Sequence, residues 1–396
     1  MPSENKFINL TPHSFLKNLE EHYLYDVEND ELYKISPDAF QFFLKICRGE
    51  NPSIQKEDEE FIQFCLSENL ITFSETDGKR KIFTNPSPIP SLRYLELQMT
   101  DRCNLRCRHC YLGESLHQDL SVDQIQRGLK EFEEIQGLRL LLSGGEPMLH
   151  PRFWEINEIL RDYAFRSILL SNGTLITKEV ARRLLVHEVQ ISLDGMKEGH
   201  EALRGEGTFE KTLVAIDQLR EANIRVSVAT MIHRKNLSEF DQLASFLQSK
   251  KIDEWNVDVP SIEGRLKKNK DLWVAPSKAG RFLSYGYGGG FHNSTNNTTC
   301  GAHLCAILPS GKVCKCGLFG QEPVGRIEEG LRTCWKRISR IALKDLSCKC
   351  PVIEVCRGGC RYRAKMGEDL LQPDLFQCYA RGVLKGGEGD EYQKGG

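Results

Sequence analysis

The chain has 396 residues, enough for two or three domains with separate cores. Its net charge of −2 provides no basic field that would draw the protein to nucleic acid or to an anionic membrane. No run of about 18 apolar residues is present, and residues 1–10 are mostly polar, so the sequence predicts neither a membrane span nor a signal peptide. We therefore expect a cytoplasmic protein.

The first block, residues 1–85, predicts a small winged-helix-like α+β domain. Its expected elements are strands at 23–27 and 31–35, helices at 38–48 and 56–68, and strands at 71–73 and 81–83. Ser36 and Pro37 are typical of the N-cap and first position of a helix. Asp77-Gly78 lies between the last two strands and predicts a tight hairpin there.

Strand-like and helix-like segments alternate from residue 91 to residue 283, after a three-proline segment at 85–90 that predicts a linker. Expected strands are 93–98, 139–142, 167–170, 189–193, 225–229 and 254–259, with helices at 122–135, 176–185 and 208–222. Such alternation is typical of a parallel sheet with helical crossovers. The predicted fold class is therefore α/β, with a partial (βα)6 TIM-like barrel.

The 15 cysteines are unevenly distributed, with three between residues 103 and 110 and ten between residues 300 and 378. Because structural disulfides are rare in a reducing cytosol, such groups indicate metal or redox chemistry. Cys103, Cys107 and Cys110 directly follow the first barrel strand. Three thiolates so spaced could bind one iron–sulfur cluster and leave its fourth iron open, although a three-ligand zinc site fits the spacing too.

This loop resembles the CxxxCxΦC motif of the radical S-adenosylmethionine (SAM) superfamily, with His109 at the aromatic position. The Ser143-Gly-Gly-Glu-Pro147 segment after the second strand resembles the loop that binds the SAM amino group in that family. The resemblance implies a [4Fe-4S] cluster that cleaves SAM reductively to a 5′-deoxyadenosyl radical. It assigns SAM contacts to His109, Gly144, Gly145, Glu146, Pro147, Ser171, Asn172, Ser192 and Arg204. No residue identifies itself as a general base.

The C-terminal block, residues 284–385, resembles the SPASM extension of radical SAM enzymes, which carries auxiliary [4Fe-4S] clusters. The family scheme implies one cluster on Cys300, Cys305, Cys316 and Cys360, and another on Cys348, Cys350, Cys356 and Cys378. The chain departs from the family at Cys348-Lys-Cys350, which is one residue shorter than the usual CxxC. Zinc ribbons are the alternative. Residues 386–396 predict a disordered tail.

The N-terminal block resembles the peptide-recognition domains that bind leaders of ribosomally made precursor peptides. Residues 1–90 carry 16 acidic and 9 basic side chains, which disfavours a nucleic-acid-binding wing. We therefore predict a radical SAM/SPASM peptide maturase that installs a thioether or carbon–carbon crosslink. Its expected partners are a precursor peptide with a leader, and reduced flavodoxin or ferredoxin as electron donor. The alternatives are a sulfatase-maturase-like enzyme and a ferredoxin-like electron carrier.

Overall fold

The computed structural model describes residues 6–55, 58–83, 85–290, 292, 297–299, 301–367 and 369–385. Cys300 and the predicted tail at 386–396 therefore lie outside the described residues. The strands are β1 (Phe7–Leu10), β2 (Ser14–Asn18), β3 (His22–Asp26), β4 (Glu31–Lys34), β5 (Ile71–Ser74), β6 (Tyr94–Thr100), β7 (Arg139–Gly144), β8 (Arg166–Ser171), β9 (Glu188–Ser192), β10 (Arg225–Met231), β11 (Glu254–Asp258), β12 (Leu304–Ile307), β13 (Lys312–Cys314) and β14 (Gly325–Arg326).

The helices are α1 (Pro37–Cys47), α2 (Glu59–Ser67), α3 (Val122–Glu134), α4 (Phe153–Ile159), α5 (Lys178–Arg183), α6 (Lys197–Arg204), α7 (Thr208–Glu221), α8 (Phe240–Ser249), α9 (Pro276–Ala279), α10 (Leu331–Arg337), α11 (Ile353–Cys356), α12 (Arg361–Gly367) and α13 (Leu375–Ala380). Short 3-10 turns connect several of them. Within the described part of the chain, none of these helices has the length and apolar character needed to cross a membrane.

A nine-stranded sheet with the order β11-β10-β9-β8-β7-β6-β12-β13-β14 forms the centre of the molecule. Its strands β6 to β11 are parallel and adjacent in chain order, which confirms the predicted α/β fold with six parallel barrel strands. The C-terminal region continues this sheet, because β12 pairs in parallel with β6, and β13 and β14 follow it antiparallel.

The side chains of β6 alternate between the two faces of the sheet, as expected for a strand. Leu95 and Leu97 are fully buried on the outer face, within the core that includes Leu129 of α3. Glu96 and Gln98 therefore lie on the inner face, where polar side chains line the barrel. Burial of the apolar face stabilises the barrel and leaves the inner face for chemistry.

The N-terminal region contains the predicted first hairpin, since β3 pairs antiparallel with β4 and β2 completes a three-stranded sheet. Helix α1 begins as predicted, with the Ala39 N–H donating to the Ser36 side chain at 3.1 Å. The predicted second hairpin is wrong, because β5 pairs with β1 and residues 81–83 form no strand. The Asn9 side chain donates to Ser74 Oγ at 2.7 Å, which binds the start of the Asp77-Gly78 turn to β1.

The three-stranded sheet packs on the N-terminal ends of the barrel strands. Three arginines stand at or just before the starts of β6, β7 and β8, namely Arg93 and Arg166, which are buried, and Arg139, which is partly buried. Arg93 forms an ion pair with Glu20 at 2.6 Å, and Arg139 forms one with Asp30. Arg166 donates to the Val27 and Glu28 carbonyls at 2.7 and 2.6 Å. The N-terminal region therefore closes the barrel at the end opposite the cysteine loop.

The segment at 85–90, which its three prolines predict to be a linker, is held in place by hydrogen bonds. The Ser87 N–H donates to the Asn18 carbonyl at 2.9 Å, and the Ser87 hydroxyl donates to the Ile135 carbonyl at 2.8 Å. The Trp335 ring N–H donates to the Pro90 carbonyl at 2.8 Å. These contacts join the segment to the N-terminal sheet, the barrel and the C-terminal region.

Candidate active site

The cysteine loop follows β6 at the carboxyl end of the barrel strands, where barrel enzymes place their chemistry. Cys103 is exposed, Cys107 is buried and Cys110 lies between these extremes. Burial raises the pKa of the Cys103 thiol to about 11, and the charges of Cys107 and Cys110 act in the same direction. The three thiols therefore lie close enough to interact electrostatically.

This donor set fits an iron–sulfur cluster. The Leu105 N–H donates to Cys103 Sγ at 3.4 Å, and Arg204 Nη1 lies 3.9 Å from Cys107 Sγ, so two of the sulfurs face donors that stabilise thiolates. Among the described residues, no three His, Cys, Asp or Glu side chains converge on a single metal ion. A cluster does not need such convergence, because each of its thiolates binds a different iron.

Neighbouring segments hold the cysteine loop on both sides. Arg102 pairs with Asp119 at 3.0 Å at the start of the loop. At its end, the Arg265 N–H donates to the Cys110 carbonyl at 2.9 Å. Gly264 lies so close to that carbonyl that a Cβ atom there would approach it to less than 3.0 Å. The loop is therefore fixed by residues far from it in sequence.

The glycine loop at the end of β7 packs directly on the cysteine loop. The Gly145 N–H donates to the Thr100 carbonyl and the Glu146 N–H to the Arg102 carbonyl, both at 2.8 Å. Gly144 has φ +132°, and a Cβ atom at either glycine would lie closer than 3.0 Å to a backbone oxygen of the cysteine loop. Only glycine permits this approach.

Glu146 fastens the glycine loop to the end of β8. Its buried carboxyl group accepts from the Ser171 hydroxyl and from the Asn172 N–H, both at 3.0 Å. Burial raises the pKa of Glu146 to about 7, although these hydrogen bonds act in the opposite direction. The structure thus brings together three of the predicted SAM contacts. The role of Glu146 as partner of the SAM ammonium stays a prediction.

Arg204, at the end of α6, is held by Asp194, which follows β9. Arg204 Nε donates to Asp194 Oδ2, and the same guanidinium reaches Cys107. Although burial acts to raise the pKa of Asp194, the charge of Arg204 and a hydrogen bond from the Met231 N–H hold it at about 2. Asp194 is a site residue that sequence reasoning did not assign. Asp194 lies two residues beyond Ser192. The proposed contacts of Ser192 and Arg204 with the SAM carboxylate stay predictions.

The Nδ1 atom of His109 is buried and has no hydrogen-bond partner among the residues that the structure describes. Burial and the nearby Arg204 charge lower the pKa of His109 to about 3, so the ring is neutral near pH 7.

A hydrogen-bonded bridge of Glu96, Gln98, Tyr111 and Gly317 joins the two cysteine-bearing parts of the chain. Gln98 Nε2 donates to Glu96 Oε1 at 2.8 Å and to the Tyr111 hydroxyl at 2.9 Å. The Gly317 N–H donates to Glu96 Oε2 at 3.0 Å. Tyr111 follows Cys110 and Gly317 follows Cys316, so the bridge fixes these segments relative to each other.

Beside this bridge is a cavity of about 440 Å³ between the cysteine loop and the C-terminal region, lined in part by Gln98, Tyr111, Gly317 and Tyr362. Gln98 Oε1 is buried there and has no hydrogen-bond partner within the described part of the chain. Sequence reasoning did not find Glu96 and Gln98. The one sequence feature that marks these two residues is the polar side chain at every second position of an otherwise apolar strand.

The C-terminal cysteines form two groups. Burial raises the pKa values of Cys348 and Cys378, and the charges of Cys350 and Cys356 act on both in the same direction, so these four thiols lie near one another. Cys316 likewise has Cys360 as a charged neighbour. Cys305 has Cys314 and Cys334 as charged neighbours, and its side chain is fully buried in the hydrophobic core.

Residues 97–247 match the family model of the radical SAM superfamily. The chain therefore carries a radical SAM domain at residues 97–247, and proteins of that superfamily use a [4Fe-4S] cluster and SAM.

Two curated relatives and one solved structure extend this match. The chain is 27% identical over 343 residues to an AdoMet-dependent heme synthase of Methanosarcina barkeri, covering 73% of this chain and 97% of that one. It is 35% identical over 159 residues to mycofactocin maturase MftC of Mycobacterium tuberculosis, covering 38% of this chain and 40% of MftC. Streptococcus suis SuiB bound to its precursor peptide SuiA superposes with a TM-score of 0.67 at 13% identity, covering 93% of this chain and 99% of that one.

Proposed function

We propose that the protein is a radical SAM peptide maturase that installs a thioether or carbon–carbon crosslink in a ribosomally made precursor peptide. The observation that carries the proposal is the extent of the structural similarity to SuiB, a protein solved with its precursor peptide. The superposition covers 93% of this chain. The part left uncovered is shorter than the N-terminal region and shorter than the cysteine-rich end. The similarity to SuiB therefore extends into both of these regions as well as over the barrel.

The bound cluster and SAM would supply a 5′-deoxyadenosyl radical that abstracts hydrogen from the peptide. The residues of this chain hold and orient these groups. Cys103, Cys107 and Cys110 bind the cluster, and the glycine loop presents its backbone to the SAM amino group. Glu146 fixes that loop, and Arg204 keeps a positive charge beside Cys107.

The cysteine-rich end supports two auxiliary [4Fe-4S] clusters. With the radical-site cluster this makes three, so anaerobic reconstitution is expected to load roughly 12 irons per chain. The variant with Cys103, Cys107 and Cys110 all changed to Ala is expected to retain about 8. Iron and zinc analysis of the purified proteins measures this. Saturation of the whole protein near about 4 irons, with zinc in the remainder, would contradict the auxiliary clusters.

The N-terminal region offers a groove for the leader. Strand β4 is at the edge of its sheet, and a cavity of about 520 Å³ lies between it and helices α1 and α2. An extended peptide could add to β4 and place side chains in this cavity, which Ala39, Phe42 and Phe61 help to line. The acidic balance of residues 1–90 favours a leader with Lys or Arg, whose binding weakens as salt rises.

Ala39→Arg is expected to weaken leader binding at least tenfold, because a long side chain would fill the groove. Gln41→Arg is the matched control, since it places the same residue on the exposed face of α1. Fluorescence anisotropy with the short peptide encoded beside the gene measures both affinities. Equal affinities for the two variants would exclude this groove.

The crosslink is tested by mass spectrometry of that peptide after reaction with SAM and reduced flavodoxin or ferredoxin. A loss of two hydrogen atoms per bond supports a crosslink, and fragmentation distinguishes a thioether from a carbon–carbon bond. An unchanged peptide alongside active SAM cleavage would contradict the proposal.

A further inference from the structure

The face of the sheet on which a cysteine lies decides whether it can reach Cys316. Cys305 pairs with Leu95, whose side chain is fully buried on the outer face. Paired residues of neighbouring strands lie on the same face. Cys305 therefore points into the hydrophobic core, away from the inner face of the barrel.

Cys314 lies on the opposite face. It pairs with Ala306, which in turn pairs with Glu96 of the inner face. Cys316 follows two residues later in extended backbone, with φ −160° and ψ 171°, and alternation returns it to the side of Cys314. Cys314 Sγ lies 3.2 Å from the Cys316 carbonyl oxygen, and the Cys314 side chain is fully buried.

Cys360 approaches this pair from the other end of the C-terminal region. It precedes α12, and its N–H donates to Asp374 Oδ2 at 2.8 Å, which fixes its backbone. Arg363 binds the same carboxylate oxygen at 2.8 Å. Phe319, three residues after Cys316, packs edge-on against Tyr362, two residues after Cys360, with ring centroids 5.2 Å apart. This contact brings the segment of Cys314 and Cys316 together with the segment of Cys360, and the charge of Cys360 acts on Cys316.

We propose that Cys314, Cys316 and Cys360 are ligands of the first auxiliary iron–sulfur cluster, and that Cys314 takes the place that the family scheme gives to Cys305. Cys305 is then a small core residue packed with Cys334. The inference rests on the proposed function only in requiring an auxiliary cluster at this end of the chain. The thiol donors and their burial suit a cluster shielded from water.

The test starts from the full chain with Cys103, Cys107 and Cys110 changed to Ala, so that only auxiliary iron is counted. Cys314→Ala and Cys305→Ala are each added to it and reconstituted anaerobically. We expect Cys305→Ala to retain about 8 irons, and Cys314→Ala to fall toward about 4 with loss of one dithionite-reduced EPR signal. Circular dichroism confirms that each variant is folded.

Loss of iron from a folded Cys305→Ala variant, with full iron in Cys314→Ala, would overturn the inference while leaving the auxiliary clusters intact. Full iron and an unchanged EPR spectrum in both variants would overturn it too. Absence of iron from the starting triple variant would overturn both the inference and the auxiliary clusters of the proposed function.

Discussion

A chain that starts at Ser91 is expected to be far less stable than the whole protein, and too unstable to serve as an isolated radical SAM core. It would leave Arg93 without Glu20, Arg139 without Asp30, and Arg166 without two carbonyl acceptors. Removing one partner of a buried ion pair costs roughly 3–5 kcal/mol. Several such losses match the whole stability of a typical domain, about 5–15 kcal/mol.

The stability lost when one of these arginines loses its N-terminal partner can be measured with a single substitution. Asp30→Ala is expected to lower the free energy of unfolding by about 3 kcal/mol, because Arg139 and the Tyr25 hydroxyl lose their acceptor. Asp38→Ala, on the exposed face of α1, is the matched control and should change it by less than about 0.5 kcal/mol. Urea unfolding of the apoproteins measures both. Equal stability of the two variants would contradict a structural role for the docked N-terminal sheet.

Gly145→Ala is expected to abolish SAM cleavage. The added Cβ would lie closer than 3.0 Å to the carbonyl oxygens of Arg102 and Asp101, and neither backbone can move without displacing Cys103. The glycine loop would then separate from the cysteine loop. We expect a loss of at least a hundredfold in 5′-deoxyadenosine formation, measured by chromatography after reduction with dithionite.

Gly367→Ala is the control for this substitution, because no described residue beyond its chain neighbours and its own helix backbone has an atom within 4 Å of the position its Cβ would take. It should cleave SAM at the rate of the unaltered protein. Cleavage by Gly145→Ala at that same rate would show that the close packing of the two loops is dispensable.

Local sequence patterns predict the strands of the barrel but not the contacts between segments that are distant in sequence. The six parallel strands could be predicted because each shows its own apolar run between helical segments. The pairing of β5 with β1 could not, because Asp77-Gly78 is a strong local turn signal and the competing strand begins at Phe7, more than sixty residues earlier. The docking of the N-terminal sheet rests on pairs such as Asp30 with Arg139, which no local pattern reveals.

For the candidate site too, local motifs predict some features and miss others. The cysteine and glycine loops could be placed from their motifs, because each lies directly after a predicted strand. Cys305 illustrates the limit, since cysteine spacing says nothing about which face of a strand a thiol occupies. Recognising Leu304–Ile307 as a strand continuing the barrel sheet would have placed Cys305 in the core.

The most direct test of the central claim is the formation of 5′-deoxyadenosine from SAM by the anaerobically reconstituted, dithionite-reduced protein. The unaltered chain should form it, because Cys103, Cys107 and Cys110 hold a cluster with an open iron. The variant with these three cysteines changed to Ala should form none above the protein-free background while keeping its auxiliary iron. Formation of 5′-deoxyadenosine by that variant at the unaltered rate would contradict the account.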